Sequence, residues 1–336
     1  MKPGESLALA AVVLLAITGV ALTLRQDSGT ELEPVTGSQP GESAGERELR
    51  ALLEADFGSF AAPRIPEGFA ASGLPQAGSN GDARLQLGRG VFRTQCLQCH
   101  GASGRADTTT AAMLTPRPRD FSLGILKFTT TTAGSRARRE DLLHTLREGI
   151  PWTAMSAFSM LREPAVLTLA DYTMWILIRG ELERAAQERL LAGTEPAQAY
   201  AEAHASVASA WDPIHAPVVE VPDFNADDPT ARERGARLYA DPAVNCAACH
   251  GADGGGRGPT VWDEAAKRWL LTDAWGMPAQ PRDLRRAQYH GGDRPEDLYR
   301  RIHAGVKGTP MPGFGERLSA TEIADLVAYL RGIAER

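Results

Sequence analysis

The chain has 336 residues and a formal net charge of −6, and only 6% of its residues are aromatic. This length suits about two domains of ordinary size. So few aromatic side chains provide little large apolar volume for two independent cores. Acidic residues concentrate in segments 26–82 and 191–228, whereas 83–190 and 229–336 are mildly basic, so the charge pattern gives no support to nucleic-acid binding.

The N-terminus is predicted to be a membrane anchor. Lys2 precedes an uncharged run from Leu7 to Leu24, which as a helix would extend about 27 Å, close to the hydrocarbon thickness of a bilayer. A cleaved signal peptide with its cleavage site near Gly19-Val20-Ala21 is the alternative, although the run is long for that purpose. Both interpretations export the rest of the chain. The positive-inside tendency keeps Lys2 cytoplasmic, so we expect an inner-membrane protein whose remaining domains face the periplasm.

Two further segments are predicted to be connections. Residues 26–82 are rich in Gly, Pro, Ser, Ala and Glu and favour a flexible acidic tether, with room for one short helix around Glu46–Glu54. Residues 191–228 contain no Lys or Arg and are predicted to be a linker. Between and after these connections, 83–190 and 229–336 form the two candidate domains.

A pentapeptide with two cysteines and a histidine occurs once in each candidate domain. Cys96-Leu97-Gln98-Cys99-His100 recurs as Cys246-Ala247-Ala248-Cys249-His250, and together they hold all 4 cysteines. C-x-x-C-H is the attachment signature of c-type haem, in which both thiols form thioethers and the histidine binds the iron. A metal clip or a dithiol redox site is the alternative, but neither requires the adjacent histidine. The sequence therefore predicts two covalently attached haem c groups.

An internal repeat of about 150 residues supports this interpretation. The segment from Gly149 to Phe158 aligns with that from Gly305 to Phe314 without a gap, and Gly, Thr, Met and Phe match. The alignment puts Met155 and Met311 at equivalent places. Methionine opposite histidine is the haem ligation typical of electron-transfer cytochromes, so we predict His100, Met155, His250 and Met311 as the iron ligands.

Matched helices are predicted around these motifs. A helix with Gly88 and Phe92 precedes the first pentapeptide, and one with Gly235 and Tyr239 precedes the second. Helices at Arg139–Glu148 and Pro295–Ala304 precede the two methionines. After the methionines we predict terminal helices at Thr168–Arg179 and Ser319–Ile333, with Asp171 and Trp175 matching Asp325 and Tyr329. The glycines would let the first and last helices of each domain cross closely beside the aromatic rings.

With these motifs the chain resembles the membrane-anchored dihaem cytochromes c of bacterial respiratory chains. The resemblance implies an all-α protein made of two tandem class I cytochrome c domains and an N-terminal membrane helix. It implies electron transfer between redox protein partners, without enzymatic activity of its own, either as a carrier or as a subunit of a larger membrane oxidoreductase complex. A dihaem cytochrome c peroxidase is the alternative, but such an enzyme must open one haem to peroxide, and both methionine loops are kept here.

Three residues outside the ligand set are also predicted to serve the haems. Pro118-Arg119-Asp120-Phe121 matches Pro281-Arg282-Asp283-Leu284, and the planar fork of Arg119 or Arg282 suits a haem propionate. The resemblance further implies that the carbonyl of Pro259, in Gly258-Pro259, accepts a hydrogen bond from the His250 ring. The first domain has Ala106-Asp107 instead.

Each domain also carries an insertion. Val261–Gln280 in the second domain contains three tryptophans, and we expect it to pack on the domain, to cover a haem edge or to form a docking surface. In the first domain, the basic loop from Lys127 to Arg139 is a candidate contact for a redox partner.

Overall fold

The computed structural model describes residues 41–76 and 78–334, without the side chain of Ser79. The predicted membrane helix at 1–25 and the start of the predicted tether, up to residue 40, lie outside the described residues. Among the helices that the structure does describe, none combines the length and the apolar character needed to cross a bilayer.

The described chain is mostly helical, as the sequence predicts. In the first half the helices are α1 (Ala44–Phe57), α2 (Ser79–Gln95), α3 (Leu97–His100), α4 (Thr109–Met113), α5 (Arg139–Glu148), α6 (Glu163–Leu191) and α7 (Pro196–Ala210). In the second half they are α8 (Pro229–Ala240), α9 (Cys246–His250), α10 (Pro295–Ala304) and α11 (Ala320–Ala334). Two short strands, β1 (Trp262–Asp263) and β2 (Arg268–Trp269), pair antiparallel. Helices α5 and α10 have the predicted bounds.

The first and last helices of each repeat cross at a glycine. A Cβ built on Gly88 of α2 would lie 2.0 Å from the carbonyl oxygen of Thr168 in α6, and one built on Gly235 of α8 would lie 2.0 Å from that of Asp325 in α11. Only a residue without a side chain allows backbones to approach this closely. The predicted role of both glycines is therefore confirmed.

The aromatic contacts at these crossings correct the predicted register of α6. Phe92 packs edge-on against Tyr172 with ring centroids 5.4 Å apart, and Tyr239 meets Tyr329 at 5.2 Å. Tyr172 is thus the counterpart of Tyr329, and the predicted matches of Trp175 with Tyr329 and of Asp171 with Asp325 are both wrong by three residues. The Trp175 indole instead donates to the carbonyl oxygen of Arg64, 2.8 Å away.

The described part of the predicted flexible tether is folded. Helix α1 begins with a capping box formed by Ser43 and Glu46, and its residues Leu49, Leu53 and Phe57 are at most 2% exposed in the core of the first domain. Apolar residues at this spacing form one face of a helix, and burying that face stabilises α1 against the domain. The short helix predicted around Glu46–Glu54 is therefore present and extends over Ala44–Phe57, whereas the prediction of a flexible tether is wrong from residue 44 onward.

The predicted linker is also largely folded. Helix α7 buries Ala203 and Val207, and the chain continues to Trp211, which is 2% exposed. The indole nitrogen of Trp211 donates to Glu181 Oε2 of α6 at 2.8 Å. The first domain is therefore larger than the repeat, because segments before and after the repeat complete its core.

The two repeats pack together within one compact unit that covers the described residues. The amide of Val219 donates to Thr130 O at 2.8 Å, and Arg301 of α10 donates to Thr129 O at 2.6 Å. The guanidinium of Arg301 also lies 5.5 Å from the Phe128 ring centroid. Part of the loop from Lys127 to Arg139 thus contacts the second repeat of its own chain, and its role as a contact for a separate partner stays a prediction.

Candidate haem sites

The two C-x-x-C-H segments fold as short helices of the same form. The amides of Cys99 and His100 both donate to Cys96 O, at 3.1 and 2.9 Å. Residues at positions i, i+3 and i+4 of a helix share one side, so each helix puts its two cysteines and its histidine on the same side. Glycines with positive φ, Gly101 at +74° and Gly251 at +79°, end the two helices.

None of the four cysteines forms a disulfide. Burial raises the pKa of Cys96 to about 12 and that of Cys246 to about 11. Within the described ranges, no three His, Cys, Asp or Glu side chains are grouped so that they could hold a metal ion. Two cysteines on the same side of a helix as one histidine fit covalent haem attachment.

The two histidine rings are held in the form that binds a metal. Burial lowers the pKa of His100 to about 4 and also lowers the pKa of His250, so both imidazoles are neutral at neutral pH. Neutral imidazole is the metal-ligating form. The Nδ1 atom of each ring is buried without a hydrogen-bond partner. Both rings are therefore buried, neutral and suited to act as metal ligands.

The matched Pro-Arg-Asp segments run alongside these rings. The backbone of Arg119 approaches His100, and that of Arg282 approaches His250, closely enough to oppose the lowering of each pKa. Phe121 stacks on the His100 ring at 4.6 Å between centroids, with 18° between planes. Leu284 takes the equivalent place in the second repeat, so the two histidines have different neighbours.

The residues after the two histidines align differently from the prediction made around Pro259. The amides of Ala106 and Gly256 donate to the carbonyl oxygens of His100 and His250, at 2.8 and 2.7 Å. Ala106 is therefore the counterpart of Gly256 and not of Gly258, and the predicted comparison was two residues out of register. The backbone that acts on the His250 ring is that of Arg282, and the role of the Pro259 carbonyl stays a prediction.

The two methionine loops share one hydrogen-bond pattern. Ile150 N donates to Met155 O at 2.8 Å, and Val306 N donates to Met311 O at 3.2 Å. Inside each loop a threonine hydroxyl, from Thr153 or Thr309, accepts from the methionine amide, at 3.0 and 3.3 Å. The repeat found in the sequence thus extends to the backbone of the loops that carry the predicted iron ligands.

One position in these loops differs strongly between the repeats. Trp152 and Gly308 occupy it, and both have positive φ, +63° and +72°. This conformation is unfavourable for a bulky residue, yet Trp152 adopts it with 64% of its surface exposed. In the second repeat the glycine accommodates Trp275, because a Cβ on Gly308 would lie 2.6 Å from that ring.

The two predicted propionate arginines lie in one cationic cluster between the repeats. Arg119 Nη1 is 2.9 Å from Asp273 Oδ2, and Arg282 Nη1 is 2.8 Å from His290 Nε2. Burial, reinforced by the charges of Arg119 and Arg282, lowers the pKa of Lys127 to about 8 although Asp273 opposes this. The cations outnumber the carboxylates here, so the cluster suits anionic groups such as haem propionates. The structure also gives Arg119 a protein partner, Asp273, that the sequence did not indicate.

Comparison with known proteins identifies both repeats. Residues 83–172 match the family model "Cytochrome C oxidase, cbb3-type, subunit III", and residues 232–334 match the model "Cytochrome c". Among solved structures, a chain of the reducing HAO-like protein complex of Kuenenia stuttgartiensis is similar at 26% identity, with a TM-score of 0.57. That likeness covers 74% of this chain and 96% of the other. No curated protein matches the chain significantly.

The motifs, the loops and both family matches agree. The chain is mostly helical, and each of its two repeats matches a cytochrome c family model, which implies covalently bound haem c and electron transfer.

Proposed function

We propose that this chain is a dihaem c-type cytochrome that carries electrons between redox partners in a bacterial respiratory or related electron-transport chain. In this proposal residues 1–25 anchor it in the inner membrane, and both haem domains face the periplasm. The proposal rests chiefly on one observation: each of two C-x-x-C-H helices is followed by a methionine loop with the same hydrogen bonds.

In this proposal the residues of each site have separate roles in binding one haem. Cys96 and Cys99 would form the thioethers to the first haem, and His100 and Met155 would ligate its iron. Cys246, Cys249, His250 and Met311 would do the same for the second. Haem iron ligated by histidine and methionine serves electron transfer at a raised reduction potential. With a histidine and a methionine both available to ligate the iron, each site would leave no iron position for peroxide, which favours electron transfer over the peroxidase alternative.

The structural neighbour supports a more specific role. It belongs to a reducing HAO-like protein complex, and the likeness spans 96% of its chain. We therefore propose that this protein is an electron-transfer subunit of a larger oxidoreductase complex, with the catalytic site on another chain.

The haem count tests the proposal directly. Protein made together with the c-haem maturation machinery should contain two covalent haems by haem staining and pyridine haemochrome analysis. The C96A/C99A and C246A/C249A variants should each retain one covalent haem, and the combined variant none. A wild-type chain with a single covalent haem would contradict the proposal.

Two further measurements separate the alternatives. Rapid turnover of peroxide by the reduced protein would favour the peroxidase. Purification of the full chain in detergent should bring down a redox partner if the protein is a subunit, whereas a chain purified alone from its native membrane would contradict that assignment.

A further inference from the structure

A rigid turn in the insertion of the second repeat lies between the two candidate haem sites. We refer to residues 272–278 as the Trp275 turn. Thr272 and Pro278 are paired across it, and Asp273 Oδ1 accepts from the amides of Trp275 and Met277 at 3.1 and 3.0 Å. A carboxylate that closes its own turn fixes the backbone conformation, so the tip projects as a preformed unit.

One side of the Trp275 turn is joined to the methionine loop of the second site. The amide of Ala274 donates to Gly308 O at 2.8 Å. The Trp275 ring fills the space over Gly308, where even a methyl group would come within 2.6 Å. Gly308 precedes Met311 by three residues inside the same hydrogen-bonded loop, so the turn restrains the segment that presents this predicted ligand.

The other side is joined to the histidine side of the first site. Trp275 Nε1 donates to Asp120 O at 3.1 Å, and the Arg119 guanidinium lies 4.5 Å from the centroid of the Trp275 ring. The side chain of Asp273, 4% exposed, forms an ion pair with Arg119 at 2.9 Å. Hydrogen bonds between charged groups are the strong ones, and this pair is well shielded from water. Arg119 is also the residue whose backbone approaches His100.

We propose that the Trp275 turn sets the relative position of the two haems and thereby the rate at which electrons pass between them, with Trp275 as the positioning residue. The turn connects the Met311 loop of one site to the Arg119–Asp120 segment beside His100 of the other. This inference rests on the proposed function, since it requires two haems. It assigns the insertion a role in electron transfer within the chain. If the insertion served packing alone, it would affect only the stability of the fold.

The experiment compares tryptophans of the same insertion in the full-length, haem-loaded protein. Trp275→Ala removes the ring between the sites, and Trp275→Phe keeps a smaller aromatic ring there but loses the bond to Asp120. Trp269→Ala is the matched control, because Trp269 packs against Trp262 in the β1–β2 hairpin, with centroids 4.9 Å apart. For each variant we would measure haem content, ligation bands, both reduction potentials and the inter-haem electron-transfer rate after photoreduction of one haem.

We expect Trp275→Ala to slow inter-haem transfer several-fold, because electron transfer between two groups slows steeply as they move apart. Haem content and ligation bands should be retained. Trp275→Phe should be closer to wild type than Trp275→Ala, and Trp269→Ala should leave the rate unchanged. A purely structural role would lower the melting temperature and leave the rate unaltered.

A second variant keeps the inference testable if Trp275→Ala does not accumulate. Asp273→Asn retains the shape of the turn but removes the charge opposite Arg119, and it should also slow inter-haem transfer. Wild-type rates in both Trp275→Ala and Asp273→Asn would overturn the inference while leaving the proposed function intact. A wild-type protein that carries one haem would instead overturn the proposed function, and the inference with it.

Discussion

Replacing Gly88 with alanine tests how tightly α2 and α6 cross. The added Cβ would lie 2.0 Å from Thr168 O and 2.8 Å from Tyr172 Cβ. Carbon atoms make favourable contacts at about 3.5–4.0 Å, so the helices would have to separate by more than about 1 Å. Overpacking a core costs about 1–3 kcal/mol, and separation also weakens the contact between Phe92 and Tyr172. We therefore expect Gly88→Ala to destabilise the protein by about 2–3 kcal/mol.

Gly90, two residues further along the same helix, provides the control. A Cβ built there meets no atom within 4 Å. Alanine is favoured over glycine inside a helix by about 1 kcal/mol, so Gly90→Ala should stabilise the protein slightly. The two single-methyl changes should therefore have opposite signs and differ by about 3 kcal/mol.

Thermal unfolding of the haem-loaded protein measures this difference, followed by far-ultraviolet circular dichroism and by haem absorbance. For a chain of this size, 1 kcal/mol corresponds to about 2 °C, so the melting temperatures of the two variants should differ by roughly 6 °C. If Gly88→Ala melted at or above Gly90→Ala, the close crossing of α2 and α6 would be refuted. Gly235→Ala should repeat the loss in the second repeat, where the added Cβ would be 2.0 Å from a carbonyl oxygen.

Three other changes probe the ligands, the first core and the boundary between the repeats. Met311→Ala should abolish the methionine-to-ferric charge-transfer band of the second haem. Met160→Ala, at a residue 95% exposed, should leave the spectrum unchanged. An unaltered spectrum in Met311→Ala would assign the ligand elsewhere. Glu181→Gln should lower the free energy of unfolding in urea by about 3 kcal/mol, because it leaves a partly buried arginine without its charge partner. Glu188→Gln, in an exposed pair, should lower it by at most about 0.5 kcal/mol. Burial lowers the pKa of Lys307 from 10.5 to about 8, so between these values the unfolded chain binds more protons and the stability contributed by this residue rises with pH. Lys307→Met should remove that rise, and identical pH profiles of wild type and variant would contradict the assignment.

Short-range patterns predicted the parts of the fold that depend on neighbouring residues. Helices α5 and α10 were found with their bounds, since each combines helical spacing of apolar residues with a glycine directly after the last turn. The start of the last helix was predicted at Ser319, where Ser319 and Glu322 form a capping box with bonds of 2.8 and 3.3 Å. The C-x-x-C-H motifs were likewise recognised from five consecutive residues each. Such features need no knowledge of the rest of the fold.

Features that depend on distant partners were missed or misplaced. The sequence predicted a short helix around Glu46–Glu54 but not its packing on the first domain, because the apolar face of α1 is short and interrupted by charges. Trp175 and Tyr172 are three residues apart on a helix, so either could have matched Tyr329 by periodicity, and the contact with Phe92 decides between them. Arg119 meets Asp273 across 154 positions, a separation at which sequence spacing carries no signal.

The wrapping of the first domain by α1 and α7 has a consequence for how the protein can be divided. The segment that matches the cytochrome family model, 83–172, omits Leu53 and Phe57 before it and Trp211 after it, although all three belong to the same core. The unit that was duplicated is therefore smaller than the unit that folds. A fragment cut at the repeat boundaries would expose that core to water, so dissection of the two halves should begin the first fragment before α1 and end it after Trp211.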